Sequence, residues 1–346
     1  MFPPGNIHHD PIGGGVPGGE HALLSSLGSL GSGYDVLMAG IPAQILGWLA
    51  IGATLAACSD TPYREVRLDA AGKASPAAAP EPPVDHRPAL RVSVAAMQSP
   101  ADTFAAYSRF LERMGDRLDE RVQFLQRRTY GEVNDLLRSG QLDAALLCTG
   151  GYLELAARDP SAVEVVAVPV IDGKTTYHSV VLVPASSKAR SVEDLAGMRF
   201  AFTDDLSLSG HLYLASWLAD RGQDDRRFFG SVTYTHSHDR SLEAVAQGLV
   251  DGAAVDSLVY QALLERDPSL SSKVRVIHRS PPFGVMPVVA STALPPERRA
   301  RLRQVLLHLH EDAEAAAALR AVHFDRFIEP PPRFYDDAIR TLGRPR

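Results

Sequence analysis

The densest chemistry in this chain sits in one polar turn. Phe200-Ala201-Phe202 reads as a buried strand, Thr203-Asp204-Asp205-Leu206 as a turn, and Ser207-Leu208-Ser209-Gly210-His211 as the start of a helix near Gly210. A helix start presents unpaired backbone N–H groups and the positive end of the peptide dipole, which suits an oxyanion. Ser207 and Ser209 add hydroxyl donors on the same side, although the same serines can simply cap the helix. His236 and His238, two apart at a strand end, share a face that a metal could use, but no cysteine adjoins them. Cys148 follows an apolar strand and reads as a buried small residue. No Gly-x-Ser-x-Gly, Walker A or zinc-finger spacing occurs. A hydrolase using Ser209 with His238 therefore fails for want of a nucleophile motif, and we expect no enzyme, no metal and no cofactor.

These residues need a scaffold. The 346 residues suggest two domains or one bilobal unit. At 45% hydrophobic and 22% charged the chain can build a sizeable core. A net charge of −6 argues against nucleic acid as a partner. Strand patterns at 91–96, 122–125, 143–147, 163–168, 179–183, 198–202, 231–235 and 252–255 alternate with helical patterns near 103–114, 131–139, 192–196, 210–221, 240–248 and 257–265. Strands at 274–277 and 287–290 follow, then a helix opened by Pro295-Pro296. Such alternation predicts an α/β body with largely parallel sheets. No internal repeat of fixed period is evident.

The N-terminal part is a different object. The only charges in residues 1–57 are Asp10, Glu20 and Asp35, and the first basic residue of the chain is Arg64. An uncharged, largely apolar run reaches Leu55-Ala56-Ala57-Cys58, which resembles the lipobox of bacterial lipoproteins, with Cys58 as the lipid-attachment residue. An uncleaved membrane anchor is the alternative, since the run is about as long as a bilayer-spanning helix. The Ala/Pro-rich stretch that follows reads as an extended tether. We expect residues 1–57 to be a signal and leader region, and 58–88 the lipidated cysteine with its tether.

Several segments of the body, in order, resemble the phosphate/phosphite/phosphonate substrate-binding proteins of ABC transporters. The turn Asp204 to Gly210 is similar to the family's Asp-x-x-Ser-Thr-Ser-Gly, with Leu208 in place of the central Thr. Gly140-Gln141-Leu142-Asp143-Ala144-Ala145, continued by Gly150-Gly151-Tyr152, resembles its first-lobe segment. Ser237-His238-Asp239, followed by Gly248-x-x-Asp251-Gly252-Ala253-Ala254-Val255-Asp256, resembles that of the second lobe.

The resemblance implies a type II periplasmic-binding-protein clamshell whose two lobes are each a mixed sheet flanked by helices. Lobe one would be 89–177 plus 288–346 and lobe two 178–287, with crossovers at Tyr177–Val180 and Phe283–Val288 as the hinge. It implies that Ser207, Ser209 and the Gly210 backbone hold the oxyanion beside Leu208. His238 would be a donor whose charge tunes affinity near neutral pH, and Tyr152 and Tyr177 would line the cleft. Asp256 would face a ligand ammonium, or else cap a helix. The implied role is capture of a small anion, outside the cytoplasm on a lipid anchor, for an ABC permease. A sensing domain for a membrane signalling partner is the alternative.

Overall fold

A computed structural model describes residues 85–343. Cys58, the apolar run before it and all but the last residues of the tether lie outside the described residues. From the N-terminal side, β1 (Ala89–Val94) leads to α1 (Pro100–Leu118), β2 (Arg121–Phe124), α2 (Tyr130–Arg138), β3 (Ala144–Leu146), α3 (Thr149–Arg158) and β4 (Val163–Val170). The chain crosses through β5 (Thr176–Tyr177) to β6 (Ser179–Pro184) and β7 (Arg199–Phe202). A π-helical turn at Leu208–Leu212 then continues as α4 (Tyr213–Ala219). Next come α5 (Asp225–Phe228), β8 (Ser231–Tyr234), α6 (His238–Ala246), β9 (Gly252–Asp256), α7 (Ser257–Arg266) and β10 (Val274–Arg279). The return runs through β11 (Phe283–Gly284) to β12 (Val288–Ser291), α8 (Pro296–His308), α9 (Ala313–Arg320), β13 (Arg326–Ile328) and α10 (Asp336–Leu342).

Two large sheets result, one in the order β13-β4-β12-β3-β1-β2 and one in the order β10-β6-β9-β7-β8, with a two-stranded ribbon of β11 and β5 beside them. Period-two alternation covers both faces of each. In the first, Ala144 and Leu146 join one apolar cluster while Ala145 and Leu147 join another. In the second, Val180 and Leu182 face one way and Val181 and Val183 the other. The two crossovers lie side by side, because β5 and β11 pair antiparallel with Tyr177 opposite Phe283.

The sheets are mixed and not largely parallel. β1 runs parallel to β2 and β3, and β7 to β8 and β9. β12 opposes β3 and β4, and β6 opposes β9 and β10. Each opposing strand is the first after a crossover, so it enters from the edge where its parallel neighbours end. Ser179, which starts β6, sits opposite Asp256, which ends β9. Val288, which starts β12, sits opposite Leu146, which ends β3.

Local chemistry sets the ends of the helices. Thr129 closes a capping box with Glu132 at the head of α2. Ser99 caps α1 with Pro100 in its first turn. The sequence pattern does not announce α3, because Thr149-Gly150-Gly151 starts it with poor helix formers.

One local design occurs twice, although no fixed-period repeat is visible in the sequence. The Arg91 guanidinium donates Nε–H to Asp143 Oδ2 (3.0 Å), and Nη2–H to Asp143 Oδ1 (2.7 Å) and to the Gly140 carbonyl (2.8 Å). Arg199 does the same with Asp251 (3.0 and 2.8 Å) and Gly248 (3.2 Å). Both glycines are left-handed, with φ of 66° and 69°.

Candidate functional site

The ends of β3, β7 and β9 and the heads of α2, α3, α6 and α7 meet between the two sheets, and the lobes are pressed together there. The Tyr130 N–H at the head of α2 donates to Asp204 Oδ2 (3.2 Å), and the Ser99 N–H to Asp239 Oδ2 (3.0 Å). The His238 N–H at the head of α6 donates to the Met97 carbonyl (3.0 Å). Gly150 packs so closely on the polar turn that a Cβ there would overlap the Leu206 carbonyl and lie 2.7 Å from Leu208 N. The described arrangement is a closed clamshell.

His238 is 1% exposed. Its Nδ1 accepts the Asp256 backbone N–H (3.1 Å) and lies 3.0 Å from Thr203 Oγ1. A nitrogen that accepts a backbone N–H carries no proton, so the neutral ring holds its proton on Nε2. Burial pushes the ring down to about 3. His238 is therefore an uncharged donor at neutral pH, which corrects the expectation that its charge tunes affinity there. It opens α6 and is not at a strand end. Its Nε2 is buried without a partner in the protein.

The polar turn divides its labour. Ser207 Oγ accepts the Gly210 N–H (3.0 Å), so Ser207 caps the π-helical turn and the Gly210 amide is already engaged. Gly210 is needed for room: a Cβ would lie 2.6 Å from the Thr203 side chain. Ser209 makes no such cap. Its carbonyl accepts the Ser179 hydroxyl (2.6 Å), while its own Oγ is buried and unpartnered. Leu208 is fully buried in the first lobe's apolar cluster, and its N–H faces the Cys148 sulfur. Its bulk thus fills the seam between the lobes. His211, just after the turn, places Nδ1 2.9 Å from the Asp205 carbonyl and Nε2 2.8 Å from Asp225 Oδ2, tying the turn to α5.

Asp256 Oδ1 accepts the Leu258 N–H (2.7 Å) and the Val259 N–H (3.4 Å), so it is the N-cap of α7. Burial nevertheless pushes its carboxyl up to about 7. Its charge is felt by Tyr130, Tyr177 and Cys148, whose own ionisation is opposed first by burial. Tyr177 lies in the β5–β11 ribbon and is 2% exposed. Tyr152 is drawn elsewhere. Its ring packs 5.0 Å from that of Tyr335 and borders an outer groove with Leu206 and Ile339.

Sequence reasoning missed Tyr130 and Ser237 as site residues. The hydroxyls of both are buried and unpartnered, like Ser209 Oγ and His238 Nε2. The Thr129–Glu132 capping box was the available signal, since it fixes Tyr130 as the first residue of a helix. For Ser237 the signal was its place beside His238. A buried hydroxyl or N–H without a partner costs about 1–3 kcal/mol. Tyr130 Oη from the first lobe and Ser209 Oγ, Ser237 Oγ and His238 Nε2 from the second are four such neutral donors, on elements that meet between the sheets.

Residues 92–335 match the family described as the periplasmic substrate-binding protein of the phosphonate ABC transporter. The phosphate-import protein PhnD of Mycolicibacterium smegmatis is 24% identical over 209 residues, 58% of this chain. This chain spans just under two thirds of that relative, 65%. A binding-protein component of an ABC phosphonate transporter from Pseudomonas aeruginosa superposes with a TM-score of 0.69 at 21% identity, covering 74% of this chain and 85% of that one. PhnD1 of Prochlorococcus marinus, solved with methylphosphonate, gives a TM-score of 0.66 at 20% identity, covering 73% and 96%. The fold is accordingly the two-lobed type II clamshell, each lobe a mixed sheet flanked by helices. The chain belongs to the family of periplasmic substrate-binding proteins of phosphonate ABC transporters.

Proposed function

We propose that this protein captures a small phosphorus oxyanion outside the cytoplasm and delivers it to an ABC permease. The observation that carries this reading is a set of unpartnered buried donors from both lobes, Tyr130 Oη, Ser209 Oγ, Ser237 Oγ and His238 Nε2–H. Donors without fixed cations suit an anion that is held by hydrogen bonds, and the Asp256 carboxyl beside them disfavours a second full charge on the ligand. The lobes would open and close about the β5–β11 ribbon, with residues 89–177 and 288–346 moving against 178–287. Binding can pull this equilibrium only by the ligand's preference for the closed form. The lipobox-like Leu55-Ala56-Ala57-Cys58 supports attachment of the mature chain to the membrane through Cys58.

The test is a thermal-shift panel of phosphate, phosphite, methylphosphonate and sulfate. A ligand at a hundred times its Kd adds about 2.7 kcal/mol, a shift of several degrees. A selective shift with a phosphorus oxyanion, weakened at least tenfold in affinity by S209A and by Y130F, is the expected result. A silent panel removes the reading.

A further inference from the structure

We propose that a pocket on the outer face of the β5–β11 ribbon is a second anion site, built for a multivalent anion such as a diphosphate or a tricarboxylate. It goes beyond the oxyanion reading above and does not depend on it.

The pocket has a volume of about 520 Å³ and is lined by Lys174, His178, Ser257, Tyr260, Gln261 and Arg279 among others. That size falls within the range of small-molecule sites. None of the four unpartnered donors between the lobes lines it. Alternation along the first crossover explains the separation. Tyr177 is buried, so Thr176 and His178 on either side of it leave the opposite face of the chain and line the pocket. The other wall is α7 from Ser257 to Leu264 and the end of β10, where Arg279 lies. Arg279 is close enough to Tyr260 for its charge to ease ionisation of that phenol, against the larger effect of burial.

The chemistry of the lining is one-sided. No Asp or Glu borders the pocket, whereas Asp172 and Glu265 border a neighbouring cavity. Neither Lys174 nor Arg279 has a carboxylate partner among the described residues. Two positive charges thus share one space without a counter-charge. Ser257 Oγ accepts the His178 N–H (2.9 Å), which leaves its own proton for a ligand. His178 Nδ1 lies 2.8 Å from the Ser280 carbonyl, which fixes the ring in the pocket wall. An anion here meets charge-assisted hydrogen bonds from an ammonium and a guanidinium. A multivalent anion answers both charges with one molecule, where a single small oxyanion leaves much of the space to water. The site between the lobes offers neutral donors and suits low charge, and this pocket offers cations and suits high charge.

Calorimetry on the full chain with pyrophosphate and with citrate at low salt tests this. Both are expected to bind, and to weaken severalfold at physiological ionic strength because Lys174 and Arg279 are exposed. Lys174→Gln and Arg279→Gln should each weaken both anions about tenfold through loss of a charge-assisted contact. Ser209→Ala should leave them unchanged. The double variant Lys174→Gln/Arg279→Gln should keep the native melting temperature and match the native chain towards methylphosphonate. A chain that binds neither pyrophosphate nor citrate overturns the inference. So does native affinity in the two single variants, or loss of these anions in Ser209→Ala, which would put them in the site between the lobes. Methylphosphonate binding to the native chain judges the oxyanion reading separately, so either can fail alone.

Discussion

The two Gly-x-x-Asp turns are built alike, yet the strands that leave them end in different chemistry. In each lobe an arginine on one strand grips the aspartate that precedes the next, and a left-handed glycine receives the same guanidinium. At the far end of those strands the likeness stops. β3 runs out into Cys148 and the glycines of α3, which offer close approach and no charge. β9 runs out into Asp256, a buried carboxyl that caps α7. The repeated end fixes where the strands stand, and the divergent end is where two lobes of similar plan become the unlike halves of the proposed site.

Mutations should separate the two ends. Gly150→Ala puts a Cβ into the seam and should weaken oxyanion binding by about a hundredfold through the cost of overlap on closure. If the ligand-free protein opens as proposed, its melting temperature should hardly move, because separated lobes would relieve the overlap. Calorimetry that finds native affinity would show that the seam is not part of binding.

The repeated end should respond in stability. Asp143 is largely buried, so Asp143→Ala leaves Arg91 without its partner and should cost about 3 kcal/mol, or 6–12 °C in melting temperature. The equivalent Asp251→Ala, at the more exposed copy, should cost about 1 kcal/mol or less. Equal losses in thermal melts would mean that burial does not distinguish the copies.

The divergent end should show in pH profiles. A carboxyl raised to about 7 contributes stability at low pH that is lost as pH rises from about 4 to 7. A histidine lowered to about 3 contributes stability above 6.5 that is lost as pH falls towards 3. Over about pH 4–6.5 the two slopes oppose and largely cancel. Asp256→Asn should therefore leave stability that rises with pH in this window, and His238→Gln stability that falls. Denaturant titrations at pH 4.5 and 6.5 decide it. The same slope in both variants would show that these groups do not titrate as buried residues.

Much of this was legible beforehand. Strand positions, the helix after Pro295-Pro296 and the polar turn from Asp204 to His211 follow from apolar periodicity and turn chemistry, which are local. His238 does meet Asp256, and Ser207 and Ser209 share one turn, while α3 was missed because its glycines answer to a neighbouring lobe and not to helix propensity. Tyr152 went to another surface because a tyrosine's position in sequence does not say which side of a helix faces the cleft.

The sequence alone determined the α/β pattern, the resemblance in ordered motifs and the apolar run ending at Cys58. Only the tertiary structure decided protonation and partnership. It made Ser207 a cap and left Ser209 free, kept His238 neutral with its proton on Nε2, and raised Asp256 towards neutrality. The reason is physical: backbone preferences are set by neighbours a few residues away, whereas the state of a polar group depends on what the distant chain removes from water and what it offers in return.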